Sequence, residues 1–195
     1  QYLFLNNSAF ERPGVEAAYV VCAPPIRPEA DRLAMWQAIA KDDLQIVSTD
    51  HCPFTKQLKE RGLAEGFNKI PGGVPSLEMR MAALYSGGVA GGLFSENRWV
   101  ELCSAFPARL HGFESKGVIA PGFDADIVIF DPQARTTISA EDLHENCGWT
   151  PYEGLQLTGR VESTFVRGTA VVENGEFVGQ RGTGRFIERT RAGVS

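Results

Sequence analysis

The 195-residue sequence is long enough for one or two compact domains. Its 43% apolar and 22% charged content is typical of a globular protein, and no apolar run reaches the roughly 20 residues of a membrane-spanning helix. A formal net charge of −5 disfavours a nucleic-acid-binding protein, which usually carries a basic face.

The cysteines are widely spaced, and no two of them form a Cys-x-x-Cys pair. They are Cys22, Cys52, Cys103 and Cys147. This pattern favours reduced thiols and a cytoplasmic location over a disulfide framework or a structural zinc site.

The first part of the chain has the pattern of a βαβ unit. Two apolar runs, residues 17–22 and 44–48, predict buried parallel strands, and Pro24-Pro25 ends the first because proline lacks an amide hydrogen. Between them, residues 28–41 carry apolar side chains at helical spacing and predict a helix. Strand, helix and strand in this order place both strands in one parallel sheet.

Further helices are predicted after this unit. Ser76 can cap a helix that Gly87-Gly88 would end, and Ser95 can cap another. Pro107 then opens a short helical turn that ends at His111-Gly112.

The last third of the sequence changes to short β-strands. Residues 126–130 predict a strand that Asp131-Pro132 would stop. Later strands are predicted at residues 161–166, 170–173 and 176–179, separated by the turn sequences Arg167-Gly168 and Asn174-Gly175.

We therefore expect an α/β domain over residues 1–114, a β-strand domain over residues 115–182 and a C-terminal tail over residues 183–195. Positive charge is concentrated near this tail, and we interpret it as a solvated surface or a subunit contact rather than a phosphate-binding track. The residues concerned are Arg181, Arg185, Arg189 and Arg191.

Asp50 is the leading candidate for a functional residue, because it follows the predicted strand at residues 44–48 almost directly. In (β/α) folds the functional groups lie just beyond the C-terminal ends of the parallel strands. A carboxylate at this position can bind a metal ion or move a proton. The alternative is an ordinary turn or helix-capping aspartate, which is common after a strand.

The histidines and glycines are weaker candidates. Adjacent residues leaving a strand point to opposite sides, so we expect His51 to support or pack rather than to share a metal ion with Asp50. His111 and His144 are expected to be surface or capping residues. The glycine-rich segment at residues 87–92 does not follow a strand, so it does not predict a phosphate-binding loop.

Several segments resemble the dihydropyrimidinase and D-hydantoinase family of the amidohydrolase superfamily. Ser48-Thr49-Asp50-His51-Cys52-Pro53-Phe54 is similar to the family's signature at barrel strand eight. Cys22-Ala23-Pro24-Pro25-Ile26-Arg27 is similar to its Cys-Ser-Pro-Pro-Leu-Arg segment, and Lys69-Ile70-Pro71-Gly72-Gly73 to its Lys-Ile-Pro-Asn-Gly. Residues 116–126 resemble the superfamily's return into its β-sandwich, and Gln1-Tyr2-Leu3 resembles the end of a Cys-Pro-Gln-Tyr-Leu motif.

The resemblance implies the C-terminal part of a TIM (β/α)8 barrel, about its last two strands and the following helices, with part of a β-sandwich. It implies hydrolysis of the cyclic amide bond of dihydropyrimidines or hydantoins to N-carbamoyl amino acids. It also implies two divalent metal ions, usually zinc, bridged by a carbamylated lysine and held by four histidines and one aspartate. Asp50 matches that aspartate, as metal ligand and proton acceptor, and Ala23 and Gly72 match residues whose main-chain groups position the substrate ring.

This sequence departs from the family's pattern at the substrate and metal positions. Ala23 stands in place of serine and Gly72 in place of asparagine, which leaves the ring preference open. The histidines and the bridging lysine of the pattern would lie upstream of Gln1. We therefore expect an incomplete fragment that by itself binds no catalytic metal ion and has no hydrolase activity.

The resemblance also implies partners and leaves alternatives. The expected partners are a small cyclic amide, the missing N-terminal half of the barrel and further copies in a homo-oligomer (a tetramer in relatives), but neither nucleic acid nor membrane. An allantoinase would use the same chemistry on a different ring. A non-catalytic scaffold resembling the collapsin-response mediators would keep the fold without the metal ligands, and a short binding protein built on a barrel remnant is a third alternative.

Overall fold

The first part of the chain consists of helices joined by irregular segments in the computed structural model, which describes residues 1–190. The last five residues of the predicted tail at 183–195, which include Arg191, lie outside the described residues. The α-helices and 3-10 helices of this part are a 3-10 helix at Asn7–Glu11, α1 (Glu16–Tyr19), α2 (Glu29–Ala40), α3 (Lys56–Glu65) and a 3-10 helix at Phe67–Lys69.

Short α-helices and π-helical turns alternate in the middle of the chain. They are α4 (Arg80–Leu84), a π-helical turn at Tyr85–Val89, α5 (Glu96–Val100), a second π-helical turn at Glu101–Ala105, and α6 (Phe106–His111). Ser95 caps α5 as predicted, because its side chain accepts a hydrogen bond from the Arg98 amide. α6 carries Pro107 in its first turn and ends at Gly112, where φ is 71°, also as predicted.

The predicted helix cap at Ser76 is wrong. The Ser76 hydroxyl donates to the main-chain oxygen of Thr49 at 3.2 Å, and α4 begins only at Arg80. A serine hydroxyl can form a hydrogen bond either with a helix end or with another segment of the chain. Here it bonds to Thr49, which is distant in sequence. Gly87-Gly88 also fails to end the helix, because the π-helical turn at Tyr85–Val89 runs through it.

The two predicted barrel strands are not formed as strands. Residues 17–22 begin inside α1, and residues 44–48 have no regular secondary structure, although α2 between them matches the predicted helix. An apolar run indicates burial, whereas a parallel strand also needs hydrogen bonds to neighbouring strands. The strands within residues 1–190 all lie after residue 126, so neither apolar run has a strand beside it.

A four-stranded sheet follows in the order β1 (Ile127–Thr137), β2 (Gln156–Val166), β3 (Thr169–Glu173) and β4 (Glu176–Phe177). β2 pairs with β3, and β3 with β4, in antiparallel register. Both turn sequences are confirmed: Arg167, Gly168, Asn174 and Gly175 all have positive φ, as a two-residue hairpin turn of type I′ requires.

β1 is longer than predicted because Asp131-Pro132 does not stop it. β1 lies at the edge of the sheet, with β2 as its neighbour. An edge strand tolerates proline where the missing amide hydrogen would have faced away from the neighbouring strand. The sequence reveals the proline but not which strand occupies the edge.

The described chain forms two units, each with its own apolar core. Unit 1 comprises residues 1–44, 48–80 and 137–157, and unit 2 comprises residues 45–47, 81–136 and those from 158 onwards. The core of unit 1 includes Val74, Cys147 and Trp149. In unit 2 the rings of Tyr85, Trp99 and Phe130 pack together, with centroids 4.7–5.3 Å apart. Within residues 1–190 no helix is long and apolar enough to cross a membrane.

The close packing of unit 2 at Gly159 gives a first test. Gly159 has φ of 91°, and a β-carbon there would lie 2.5 Å from the Phe130 ring, whereas Gly168 has φ of 77° and no atom within 4 Å of such a carbon. We expect Gly168→Ala to lower the free energy of unfolding by about 1–2 kcal/mol through backbone strain alone. Gly159→Ala should cost a further 1–3 kcal/mol or so, because the aromatic cluster must move. Equal losses in urea unfolding would contradict this packing.

Candidate functional site

Asp50 lies in the irregular segment between α2 and α3, with an exposed side chain and φ of 47°. This left-handed conformation is uncommon outside glycine, although aspartate adopts it more readily than most residues. Hydrogen bonds on both sides hold it. The His51 amide donates to the Thr49 hydroxyl at 3.3 Å, and the Cys52 amide donates to the Val74 carbonyl at 3.0 Å. The backbone around Asp50 is therefore fixed by its neighbours, while its carboxylate stays accessible.

The His51 ring anchors the same segment from the other side. Its Nδ1 accepts hydrogen bonds from the amides of Ser76 at 3.0 Å and Leu77 at 3.1 Å. With both amides donating to it, Nδ1 carries no proton. The Glu145 carboxylate at 3.6 Å therefore forms no hydrogen bond with this atom. His51 supports the loop, and its Nδ1 is already engaged.

Ala23 and Gly72, the two residues predicted to bind substrate through their main chains, lie side by side in unit 1. A β-carbon on Gly72 would be 3.8 Å from the Ala23 nitrogen, and both residues are exposed. The next residue, Gly73, donates its amide hydrogen to the Val21 carbonyl at 2.9 Å. The structure thus brings these two sequence-predicted residues together.

The loop of Asp50 adjoins the same place through Cys52. Gly73 is buried with φ of 151°, and a β-carbon there would lie 2.5 Å from the β-carbon of Cys52. Only glycine allows this approach, and the Cys52 amide is bonded to Val74, the residue after Gly73. Three segments predicted separately from the sequence therefore meet, around Asp50, Ala23 and Gly72.

Tyr2 is a further residue of this site to which the sequence assigned no role. Its hydroxyl donates to the Pro24 carbonyl at 2.6 Å, and the Cys22 thiol donates to the same oxygen at 3.3 Å. Burial raises the pKa of Tyr2, and the negative charges of Cys22 and, more weakly, Asp50 raise it further. Tyr2 therefore keeps its proton and holds the Pro24 end of the segment that carries Ala23.

Lys59 is the second residue that the sequence did not identify. Its side chain is fully buried, its Nζ donates to the Val21 carbonyl at 2.9 Å, and it lies 5.6 Å from the centre of the Trp149 ring. Burial lowers the pKa of Lys59 to about 8, against smaller opposing electrostatic effects of Cys22 and Cys52. The other buried residue of α3 is Gly62, three positions later. This spacing places both residues on one face of the helix, and it is the signal by which the sequence could have indicated that Lys59 is buried.

The donor set of this chain does not fit a centre of two metal ions. Within residues 1–190 no three His, Cys, Asp or Glu side chains form a group that could hold a metal ion. Asp50 supplies one carboxylate, whereas a catalytic zinc ion takes about three protein ligands. Neighbouring His51 already uses its Nδ1 to accept main-chain hydrogen bonds.

Comparisons with known proteins show which family this chain belongs to. Residues 16–171 match the model of the amidohydrolase family. The D-hydantoinase of Streptomyces coelicolor is 44% identical over 191 residues, which are 97% of this chain and 40% of that protein. The D-hydantoinase of Geobacillus stearothermophilus is 40% identical over 196 residues, which are 100% of this chain and 41% of that protein.

The solved structures give the same result. The crystal structure of the dihydropyrimidinase from Brevibacillus agri NCHU1002 matches with a TM-score of 0.94 at 43% identity, covering 97% of this chain and 41% of that one. This confirms the predicted fold class, part of a TIM barrel with part of a β-sandwich. The chain spans about two-fifths of the length of the curated relatives it matches.

The acceptor role of His51 gives a second test. His51→Ala leaves the buried Ser76 amide without its partner, so we expect a loss of about 1–3 kcal/mol in the free energy of unfolding. His144 is the matched control, because its ring is paired with Glu78 but its side chain is 66% exposed. His144→Ala should cost less than about 1 kcal/mol in the same urea titration. If His144→Ala lowered the free energy of unfolding as much as His51→Ala, the hydrogen bonds that His51 accepts would not stabilise the chain as expected.

The buried amine of Lys59 gives a third test. Its pKa is about 8 in the folded chain and near its ordinary value of 10.5 in the unfolded chain. The unfolded chain therefore binds more protons between these values, so Lys59 makes the free energy of unfolding rise with pH across that window. We expect the difference between wild type and Lys59→Met to rise from pH 8 to pH 10.5 and to stay constant below pH 8.

The difference in free energy of unfolding between wild type and Lys59→Met is the relevant quantity, because other groups also titrate between pH 8 and pH 10.5. Burial raises the pKa values of Cys22, Tyr2, Tyr19 and Tyr152, and both proteins contain these groups. Thermal unfolding at several pH values measures the difference. A difference that does not change between pH 8 and pH 10.5 would show that Lys59 is solvated in the folded chain.

Proposed function

Because this chain belongs to the amidohydrolase family, we propose that the protein containing it hydrolyses the cyclic amide bond of dihydropyrimidines or hydantoins to N-carbamoyl amino acids. One observation carries the proposal: the exposed residues Ala23 and Gly72 lie side by side, next to the loop that presents Asp50. The similar proteins named above, D-hydantoinases and a dihydropyrimidinase, support the same ring class.

In this proposal Asp50 moves the proton of the attacking water. The water oxygen forms a bond to the ring carbonyl carbon, and the exposed carboxylate of Asp50 accepts the proton that is released. The carbon–nitrogen bond of the ring then breaks, and the proton passes from Asp50 to the departing nitrogen. One water molecule is consumed, and the open product carries a carbamoyl group and a carboxylic acid, which releases its proton to solvent at neutral pH.

Main-chain groups of Ala23 and Gly72 would orient the ring. A cyclic ureide presents alternating N–H and C=O groups, which main-chain amides and carbonyls complement regardless of the side chain. The replacement of serine by Ala23 and of asparagine by Gly72 is therefore compatible with ring binding. A β-carbon on Gly72 would make ordinary van der Waals contact, at 3.8 Å, with the main chain of Cys22 and Ala23. The departures at Ala23 and Gly72 make allantoin, whose ring carries a ureido group, the second candidate substrate.

The remaining part of the proposal concerns the whole protein. Asp50 would be one ligand of a centre of two divalent metal ions, which we propose to be zinc. The other ligands would come from residues of the intact protein that are not among the 195 residues of this sequence. The sites would be completed by an N-terminal part of the barrel, in a cytoplasmic homo-oligomer. A non-catalytic scaffold is the alternative of another class, and absence of turnover of every ring by the intact protein would favour it.

Replacing Asp50 tests the proposal. In the intact protein we expect Asp50→Asn to lower kcat about 10²–10⁴-fold, because the amide cannot accept the proton. Asparagine tolerates the left-handed backbone of this position, so the fold should persist. Asp43→Asn, an equally exposed aspartate in the turn after α2, is the matched control and should leave kcat unchanged.

The measurement is formation of the N-carbamoyl product from dihydrouracil or hydantoin, and of allantoate from allantoin. Comparison of the three rings also assigns the ring preference. If Asp50→Asn hydrolyses the preferred ring as fast as the wild type, Asp50 does not move the proton. If the wild-type protein opens none of the rings, the proposed activity is wrong.

A further inference from the structure

One carbonyl oxygen joins the two main-chain segments of the proposed ring site. The Val21 oxygen accepts the Gly73 amide at 2.9 Å and the Lys59 ammonium at 2.9 Å. Val21 lies two residues before Ala23, and Gly73 directly follows Gly72. The distance between the main chains of Ala23 and Gly72 therefore depends on what holds this oxygen.

The surroundings of Lys59 give its ammonium few other partners. Its side chain has 0% exposure, and within residues 1–190 no carboxylate lies within ion-pairing distance of its Nζ. The Trp149 ring beneath it is itself fixed, because its indole N–H donates to the Phe54 carbonyl at 2.8 Å and its face stacks on Tyr19 at 4.7 Å. The ammonium is thus directed at the Val21 oxygen.

We infer that Lys59 is a positioning residue for the substrate ring, because its ammonium holds the Val21 carbonyl and with it the spacing of Ala23 and Gly72. The inference rests on the proposed function, since it assumes that these two main chains contact the ring. Lys59 itself has no exposed surface from which it could touch a substrate.

A purely structural role explains this lysine poorly. Burying an unpaired ammonium is costly, and an apolar side chain of the same length would fill the space without that cost. Burial lowers the pKa of Lys59 to about 8, so the group still carries its charge at neutral pH. A hydrogen bond from a charged donor is stronger than one from a neutral donor, which suits a group that must hold a carbonyl firmly.

Lys59→Met in the intact protein tests the inference. Methionine is also unbranched and matches the lysine side chain as far as its last carbon, but it lacks the ammonium donor. We expect KM for the preferred ring to rise about tenfold, the usual order for losing a hydrogen bond from a charged donor, while kcat changes less than about threefold. The main-chain contacts bind substrate and transition state alike, so their disturbance appears in KM. Lys56→Met, the same change at an exposed position of α3, should leave both constants unchanged.

A second readout separates the inference from the proposed activity. Hydrogen exchange of the Gly73 amide reports on the Val21 carbonyl without any turnover, and we expect it to be about tenfold faster in Lys59→Met than in wild type. If the wild-type protein opens no ring, the proposed function fails, and the exchange of Gly73 still decides whether Lys59 holds Val21. Lys59→Gln, whose amide is too short to reach Val21, gives the same comparisons if Lys59→Met does not fold.

The inference is overturned by either of two results. One is an unchanged KM and an unchanged Gly73 exchange rate in a folded variant, which would mean that Val21 keeps its position without the ammonium. The other is a fall of kcat in proportion to the folded fraction, with KM unchanged. That pattern would assign Lys59 to the stability of α3 alone.

Discussion

The candidate site of unit 1 depends on a small number of main-chain hydrogen bonds between irregular segments. The Gly73 amide bonds to Val21, and the Cys52 amide bonds to Val74, at 2.9 and 3.0 Å. In a regular sheet such bonds would be repeated along a ladder, and the loss of one would matter little. Here each segment is held by one such main-chain bond. Buried side chains add further hydrogen bonds to the same segments. Lys59 donates to the Val21 carbonyl, and His51 accepts from the segment that begins at Ser76.

The elements that the sequence predicted correctly are those set by local interactions. α2, the Ser95 cap and the turns at 167–168 and 174–175 depend on residues within a few positions of each other. The errors have the opposite origin. Residues 17–22 and 44–48 carry the apolar pattern of strands but have no strand beside them among the described residues. Pro132 is tolerated because β1 lies at an edge. Both facts concern neighbours distant in sequence, which a local pattern does not contain.

The candidate site was predicted in a different way. Asp50, Ala23 and Gly72 were identified through resemblance of three separate segments to one family, and no local rule required those segments to meet. Lys59 and Tyr2 could not be found from either source of information. The burial of a lysine depends on what packs over it, here Trp149, which lies 90 positions further along the chain. Only the assembled unit reveals that the amine faces the Val21 carbonyl.

The two departures from the family's pattern and the buried lysine are physically connected. With alanine at position 23 and glycine at position 72, neither side chain carries a polar group, so under the proposed function recognition of the ring would rest on main-chain groups. Such groups select a ring only if their spacing is constant, because an amide and a carbonyl displaced by a few tenths of an ångström lose good hydrogen-bond geometry. The Lys59 ammonium, which donates to the Val21 carbonyl, and the close contact of Gly73 with Cys52 both restrict that spacing. In the proposed site, ring preference would therefore depend on the residues that hold these main chains as well as on those that face the substrate.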